Sequence, residues 1–390
     1  MHADDAVYKV YGLDLSYFTG KLEAYLRYKG IPYRRVELSS KSFRDIVLDN
    51  TGLMKMPAVE TPDGVWLTDT TPMIQWFEDR YPHNPILPED PYAAFFCRLV
   101  EDYADEWMWR PALHYRWSYA KDATLMARRI AEEMLHDAPG PTWLKSWMIK
   151  RRQIKEYVTG DGITPETAAH VESIYLKTLD TLQRQLSVTP FLLGGRPCLA
   201  DFGFFASMFR HFGIDPTPAR IMRDRAPAVY EWTGRMWNAR ASQGLGPFEP
   251  AVGIPPAWAN FLKDIGTGYL PYLNANATAW GDGRTRFDVE IDGVSYRNLP
   301  TSQYRVWCLE QLRHHFASLD EDIAKKVRQT METHRLWGSF VALDATSSNY
   351  DPESLMPLGS KLREDAGGIR KIASQGGSIW GRPVSRPASK

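Results

Sequence analysis

The chain has 390 residues, of which 44% are apolar and 13% aromatic, enough for more than one hydrophobic core. Lys and Arg together number 47, as do Asp and Glu, which gives no reason to expect a nucleic-acid or membrane-surface binder. The 3 cysteines lie far apart without metal-ligand spacing, which favours a reducing compartment and no metal. The N-terminus lacks the basic and apolar segments of a signal peptide. We therefore expect a cytoplasmic protein that contacts no membrane.

The chain opens with a predicted strand, a tight turn and a helix. The strand covers Val7 to Tyr11, and Gly12 ends it. Apolar residues then recur at helical spacing until Gly30. Ser16 stands where the extended run becomes a helix, so its hydroxyl is suited to cap the helix beside free backbone N–H groups. Such a helix start accommodates an anion.

The next segments predict two more strands in a hairpin and a further helix. A second strand at 33–38 and a short helix at 42–50 precede the hairpin. The hairpin strands, 57–61 and 65–68, are joined by Pro62-Asp63-Gly64, which favours a turn. Asp69 and Thr70 begin the next helix, with a proline in its first turn. The predicted order is βαβαββα over residues 6–82.

The remainder divides into four predicted regions. Residues 83–91 are a proline-rich linker, and residues 92–250 show helical periodicity, with a kink expected at Pro111. Residues 251–340 form an α+β extension, with one long helix at 257–280, a hairpin turning at Asp292-Gly293, and two later helices. Residues 341–390 are rich in Ser, Gly and Pro and are expected to form an irregular tail.

Three motifs in this order resemble the cytosolic glutathione S-transferases of the serine type, such as those of bacteria. They are YGLDLSYFTGKLEAYLRYKGIPY, MKMPAVETPDGVWLTDTTPMIQWFEDRYP and FLLGGRPCLADFGFF. The resemblance implies a thioredoxin-like α/β domain followed by an all-α domain, and it covers residues 7 to about 240. The extension after residue 250 is not part of that family pattern.

The resemblance also implies a glutathione-binding site. Met56 would pair with the peptide backbone of glutathione if the bond to Pro57 is cis. Asp69 and Thr70 stand where the family usually has Glu-Ser, which binds the γ-glutamyl ammonium and carboxylate. Lys55 stands where a cation or amide commonly binds the glycyl carboxylate. Asp69 or Thr70 could equally serve only as a helix cap.

Ser16 is the expected catalytic residue, because it occupies the place of the family's catalytic serine or cysteine. A thiol with a pKa near 8.5 is mostly protonated at neutral pH, and a hydrogen bond from Ser16 would lower that pKa. Thr19 stands where redox relatives carry a second thiol, so disulfide chemistry is not expected. Tyr17 and Tyr11 are the alternative hydroxyl donors, and Ser16 could be only a helix cap.

The expected reaction is attack of the glutathione thiolate on an apolar, aromatic electrophile, either conjugation or cleavage of an ether or carbon–halogen bond. The resemblance implies a role in detoxification. Tyr103, Trp107 and His114 are the candidates for the electrophile pocket. Asp201 matches the family's buried capping aspartate. Glutathione is expected as co-substrate and a second copy of the chain as partner; the alternative is a non-catalytic scaffold or dimerisation module of the same fold.

Overall fold

The computed structural model of the chain describes residues 7–342 and 346–359, so most of the predicted tail lies outside the described residues. Within them, four strands form one mixed sheet in the order β2-β1-β3-β4. The strands are β1 (Tyr8–Gly12), β2 (Tyr33–Glu37), β3 (Ala58–Glu60) and β4 (Trp66–Thr68). β1 is parallel to β2 and antiparallel to β3, and β3 is antiparallel to β4. The helices that accompany this sheet are α1 (Tyr17–Lys29), α2 (Ser40–Ser42), α3 (Asp49–Thr51) and α4 (Thr70–Arg80).

This arrangement is the βαβαββα order of a thioredoxin-like domain, as expected from the sequence. β1 lies inside the sheet, between β2 and β3, and all of its residues except Lys9 are buried. α1 ends at Gly30, whose φ of 69° places it in the left-handed region that closes a helix. The hairpin turn places Gly64 at a φ of 82°, which a glycine adopts without steric cost.

Helices dominate the chain from Pro91 to Asn238, as predicted for the second domain. They are α5 (Pro91–Glu106), α6 (Trp109–Ser118), α7 (Ala120–Met134), α8 (Thr142–Gln153), α9 (Pro165–Leu186), α10 (Leu199–Ser207), α11 (Pro216–Arg225) and α12 (Pro227–Asn238). The interruption expected at Pro111 occurs earlier, between α5 and α6. This places Pro111 in the first turn of α6, where the missing N–H leaves no hydrogen bond unmade.

The part of the chain after residue 250, which includes the described residues of the predicted tail and is here called the extension, contains helices and one hairpin. Its elements are α13 (Ala259–Asp264), α14 (Leu270–Gly281), β5 (Arg286–Ile291), β6 (Val294–Pro300), α15 (Gln303–Ala317), α16 (Glu321–Thr333) and α17 (Trp337–Val341). The single helix expected at 257–280 is instead a series of segments, with a π-helical turn at Ile265–Tyr269 before α14. Pro271 lies in the first turn of α14 and cannot donate a helical hydrogen bond, which accounts for the irregularity.

The extension packs against both earlier parts of the chain. A Cβ on Gly268 would lie 3.2 Å from the ring of Trp107, so the chain passes close to the residue that follows α5. Near the end of the described residues, Leu358 forms an antiparallel bridge with Leu67 of β4. The C-terminal segment therefore adds a short strand segment to the outer edge of the N-terminal sheet. None of the helices in the described residues is long and apolar enough to span a membrane.

Candidate functional site

The turn before α1 presents the hydroxyl of Ser16. Ser16 has extended backbone angles, and its Oγ accepts a hydrogen bond of 3.3 Å from the N–H of Thr19, which makes it the N-cap of α1. Accepting this bond uses an oxygen lone pair, so the O–H proton can still donate to a ligand. The first turn of α1 contains no acidic residue, so nothing there offsets the positive end of the helix dipole. Capping and hydrogen bonding to an anion are therefore compatible.

The side chain of Thr19, unlike that of Ser16, is not accessible to a ligand. Its side chain is fully buried against β1, and a Cβ on Gly12 would lie 2.4 Å from Thr19 Oγ1. Gly12 is thus required for α1 to approach the end of β1. The side chain at the position of a second redox thiol packs into the protein.

The two alternative tyrosines make other hydrogen bonds. The Tyr17 hydroxyl donates to the carbonyl of Ala104 in α5, at 2.8 Å, and the side chain is buried. The Tyr11 hydroxyl donates to Glu60 Oε2, also at 2.8 Å. Both hydroxyl protons are therefore directed away from the turn at Ser16, which is only half-buried.

The expected glutathione-binding residues lie on either side of the hairpin. The Met56-Pro57 peptide bond is cis, as the resemblance led us to expect. Asp69 has a φ of 72°, a strained conformation for a residue other than glycine, and no side-chain cap hydrogen bond to α4. Thr70 is the first residue of α4 and is buried. The carboxylate of Asp69 is therefore not used as a helix cap, and burial raises its pKa.

Residues 10–85, which include Ser16, Pro57 and Asp69, match the family model described as glutathione S-transferase, N-terminal domain. The chain carries a glutathione S-transferase N-terminal domain. The resemblance to the cytosolic glutathione S-transferases is thereby confirmed through this domain.

Individual relatives agree with this assignment. Glutathione S-transferases U6 and U7 of Arabidopsis thaliana are each 26% identical to this chain, over 98 and 105 residues. The matches cover 25% and 27% of this chain and 44% and 46% of the relatives, so the chain spans less than half the length of the curated relatives it matches. Matched solved structures include the Tau class glutathione S-transferase from mango, Mangifera indica (16% identity, TM-score 0.37, covering 66% of this chain and 96% of that one). Another is the beta-etherase LigF from Sphingobium (20% identity, TM-score 0.42, covering 59% and 94%).

Lys55 of the glutathione S-transferase domain contacts the extension. Its Nζ donates to the hydroxyl of Tyr350 at 3.1 Å and lies 4.7 Å from the ring centroid of Tyr304. Burial disfavours the charged lysine, but the interactions with Tyr350 and Asp69 outweigh this effect and raise the pKa of Lys55. The Tyr304 hydroxyl donates to Asp69 Oδ1 at 3.3 Å. Sequence reasoning did not find either tyrosine, since both lie outside the family pattern.

The residues expected to line an electrophile pocket are all buried. Tyr103 is fully buried and packs against Tyr269, and Trp107 packs against Tyr269 and Tyr272. His114 is 4% exposed, with its Nε2 2.9 Å from Glu172 Oε1. The structure thus places Tyr103, Trp107 and His114 in the core rather than in an open pocket. Tyr103 and Trp107 are buried because the extension covers this face of α5.

Other aromatic residues lie closer to the turn and remain partly exposed. Phe18 follows Ser16 by two positions, and its ring is stacked on that of Trp109 with an interplanar angle of 15°. Trp109 in turn meets the ring of Tyr157 edge-on. All three rings are half-buried. Trp109 is the part of the α5–α6 aromatic stretch that the structure leaves accessible beside the turn.

Asp201 occupies the start of α10 and is fully buried. Its carboxylate accepts hydrogen bonds from the backbone N–H groups of Leu192 and Cys198, and from the indole N–H of Trp232. These contacts tie the helix start to the preceding loop and to α12. Asp201 therefore has the surroundings of a structural residue.

A buried charged cluster joins the glutathione S-transferase domain to α5. Lys21 in α1 is fully buried and forms ion pairs with Glu101 and Asp105, while Thr71 donates a hydrogen bond to Glu101. The spacing along the helix indicates that Lys21 is buried, because it lies four residues after Tyr17 and four before Tyr25, on the same buried face of α1. The partner acids could not be identified from that spacing.

Proposed function

We propose that this chain is a glutathione transferase in which Ser16 stabilises the thiolate of bound glutathione. The observation that carries the proposal is the geometry of the opening turn. Ser16 is half-buried at the start of α1 with a hydroxyl proton that can donate, whereas the hydroxyls of Tyr11 and Tyr17 donate to Glu60 and Ala104. The family of the N-terminal domain indicates that the co-substrate is glutathione.

The energy required is within reach of this arrangement. Lowering a thiol pKa by about 1.5 to 2 units corresponds to roughly 2 to 3 kcal/mol. A hydrogen bond to a charged group contributes about 1.5 to 3 kcal/mol, and a helix N-terminus adds about 0.3 to 1 kcal/mol. Ser16 and α1 together therefore suffice. The thiolate would attack the electrophile, forming a carbon–sulfur bond as the leaving group departs.

We propose an apolar, aromatic electrophile, because Phe18 follows the turn at Ser16 and its partly exposed ring stacks on Trp109, which in turn meets the ring of Tyr157. This replaces the expected pocket residues with rings that a ligand can reach. Either conjugation or cleavage of an ether or carbon–halogen bond uses the same nucleophile. Light scattering on the purified chain would test the homodimer expected from the family.

The test is the Ser16→Ala variant. The thiolate absorbance of bound glutathione, titrated against pH, should show a thiol pKa about 1 to 2 units higher than in the wild type, because one charge-assisted hydrogen bond is lost. Turnover of a chromogenic aryl halide near neutral pH should fall by about tenfold or more. Ser39→Ala is the matched control, since Ser39 also caps a helix with its hydroxyl but caps α2 instead. An unchanged thiol pKa in Ser16→Ala would exclude Ser16 as the donor.

A further inference from the structure

Helix α8 presents large apolar side chains to the solvent. Trp143 is 71% exposed, Trp147 54% and Met148 56%, and Leu144 is exposed beside them. Their spacing places all four on one side of the helix, while Ile149 is buried in the core from the opposite side. Single exposed apolar residues are common on protein surfaces, but a contiguous stripe of them marks a contact surface.

The sequence around this apolar stripe is basic. Residues 142–157 contain one acidic side chain, Glu156, and five basic ones: Lys145, Lys150, Arg151, Arg152 and Lys155. The acid is already engaged, because Glu156 pairs with Arg152 at 3.0 Å. Arg151 is exposed and continues the stripe, with its guanidinium carbon 5.4 Å from the ring centroid of Trp147. The stripe is therefore positively charged, although the chain as a whole carries no net charge.

The neighbouring acidic residues do not reverse this charge. Helix α7 packs against α8, and its two acids nearest the connecting loop pair with arginines one turn away. These pairs are Arg128 with Glu132 and Arg129 with Glu133. In the loop between the two helices, the Asp137 carboxylate accepts a hydrogen bond of 3.0 Å from the N–H of Lys41. The acids beside α8 are thus bonded to groups other than the basic side chains of the stripe.

An anionic lipid surface matches both properties of the stripe. Tryptophan side chains favour the boundary between headgroups and acyl chains, and lysine and arginine side chains are attracted to anionic headgroups. A second copy of the chain matches the charge less well. In a symmetric contact it would bring the same positive stripe, whose single acid is already paired.

We propose that α8 docks on the surface of a membrane that contains anionic lipids, with Trp143 and Trp147 at the level of the headgroups and Arg151 beside the phosphates. The helix lies in the plane of the surface, so the contact requires no membrane-spanning segment. The neutral charge of the whole chain led us to expect no membrane contact, and the local excess of positive charge on α8 points the other way. The inference does not depend on the proposed function.

Sedimentation with vesicles tests the docking. The full chain is mixed with vesicles of phosphatidylcholine alone or of phosphatidylcholine with phosphatidylserine. Binding to the mixed vesicles should be at least about tenfold tighter and should weaken as salt is added, because each basic residue near an anionic surface contributes about fivefold in affinity. Equal binding to both kinds of vesicle, or binding to neither, would overturn the proposal.

The double variant Trp143→Ser/Trp147→Ser tests whether α8 makes the contact. Both side chains are exposed, so the fold should be retained, which circular dichroism would check. Binding to the mixed vesicles should weaken by about tenfold or more, because the two indole rings no longer leave the water. Tyr230→Ser is the control, since Tyr230 is exposed on α12 and lies 5.8 Å from the guanidinium carbon of Arg223. Unchanged binding in the double variant would place the contact elsewhere and overturn the assignment to α8.

Arg151→Gln tests the role of charge. Its binding to the mixed vesicles should weaken by about fivefold. Arg223→Gln is the matched control, because Arg223 is also exposed and also lies over an aromatic ring. Equal affinities of Arg151→Gln and the wild type would contradict the electrostatic contact. Light scattering separates the remaining alternative: a dimer that Trp143→Ser/Trp147→Ser converts to a monomer, with vesicle binding unchanged, would assign the stripe to a second copy and overturn the proposal.

Discussion

The N-terminal sheet domain and the C-terminal extension contribute to the same site through different kinds of contact. In the N-terminal domain, Ser16 is fixed by a hydrogen bond from a residue three positions later, and Asp69 stands directly between β4 and α4. The extension reaches Asp69 and Lys55 across 235 and 295 residues of sequence. The first region provides the proposed nucleophile site through local structure, and the second contacts the expected glutathione-binding residues through long-range packing.

The two regions also differ in how they compensate buried charge on α5. Facing the N-terminal domain, Glu101 and Asp105 are paired with the ammonium of Lys21. Facing the extension, Asp102 accepts a hydrogen bond of 2.6 Å from the neutral hydroxyl of Tyr269. At one interface a buried ammonium contacts two carboxyl groups, whereas at the other the partner of the carboxyl is a neutral hydroxyl.

The largest effect is expected from Lys21→Met, which removes the cation between Glu101 and Asp105. Both carboxylates would remain buried without an opposite charge, and breaking a buried ion pair from one side costs about 3 to 5 kcal/mol. Urea denaturation followed by tryptophan fluorescence would measure the loss of stability. Lys9→Met is the control, since its pair with Glu60 is partly exposed and is worth about 1 kcal/mol or less. Equal losses of stability in the two variants would show that the buried ion pairs of Lys21 stabilise the fold no more than the partly exposed pair of Lys9.

The difference between local structure and long-range packing explains how much could be predicted from the sequence. The sequence of strands and helices along the chain, the hairpin and the cap at Ser16 depend on residues close together in the chain, where periodicity and turn chemistry are informative. The burial of Tyr103 and Trp107 depends on Tyr269 and Tyr272, which no local pattern connects to them. The contact between Tyr304 and Asp69 could not be predicted for the same reason.

A second effect on stability, confined to a pH range, is expected at Asp102. Burial raises the pKa of this carboxyl to about 8, although the hydrogen bond from Tyr269 lowers it. In the unfolded chain an aspartate titrates near 3.9, so its contribution to stability is complete below about pH 4 and is lost as the pH rises through about 8. The free energy of unfolding should therefore fall between these values, by at most about 1.4 kcal/mol per pH unit from this group.

Asp102→Asn should flatten this decline, because an amide stays neutral and can still accept from Tyr269. Unfolding of the variant and the wild type would be measured at several values from pH 5 to 9. Asp180→Asn serves as control, since Asp180 pairs with Arg225 at the surface and its pKa is lowered, out of this range. Identical slopes for Asp102→Asn and the wild type would show that Asp102 is not the titrating group.

The smallest effect is expected where the extension joins the edge of the sheet. The N–H of Gly359 donates to the carbonyl of Trp66, and the N–H of Thr68 donates to the carbonyl of Pro357, both at 2.8 Å. A Cβ on Gly359 would lie 3.2 Å from Thr51 Cα and 3.4 Å from the carbonyl oxygen of Asn50. These neighbours are backbone atoms, which cannot move aside as the end of a flexible side chain can.

Gly359→Ala should therefore loosen this strand by about 1 kcal/mol, and the Thr68 amide should exchange its hydrogen about fivefold faster. Gly338→Ala is the matched control, because a Cβ there meets nothing within 4 Å. The amide of Val10 in the central strand should keep its exchange rate in both variants, since β1 pairs with β2 and β3 and not with the extension. Unchanged exchange at Thr68 in Gly359→Ala would mean that this edge is protected by the N-terminal domain alone, and the two regions would then meet only through side chains.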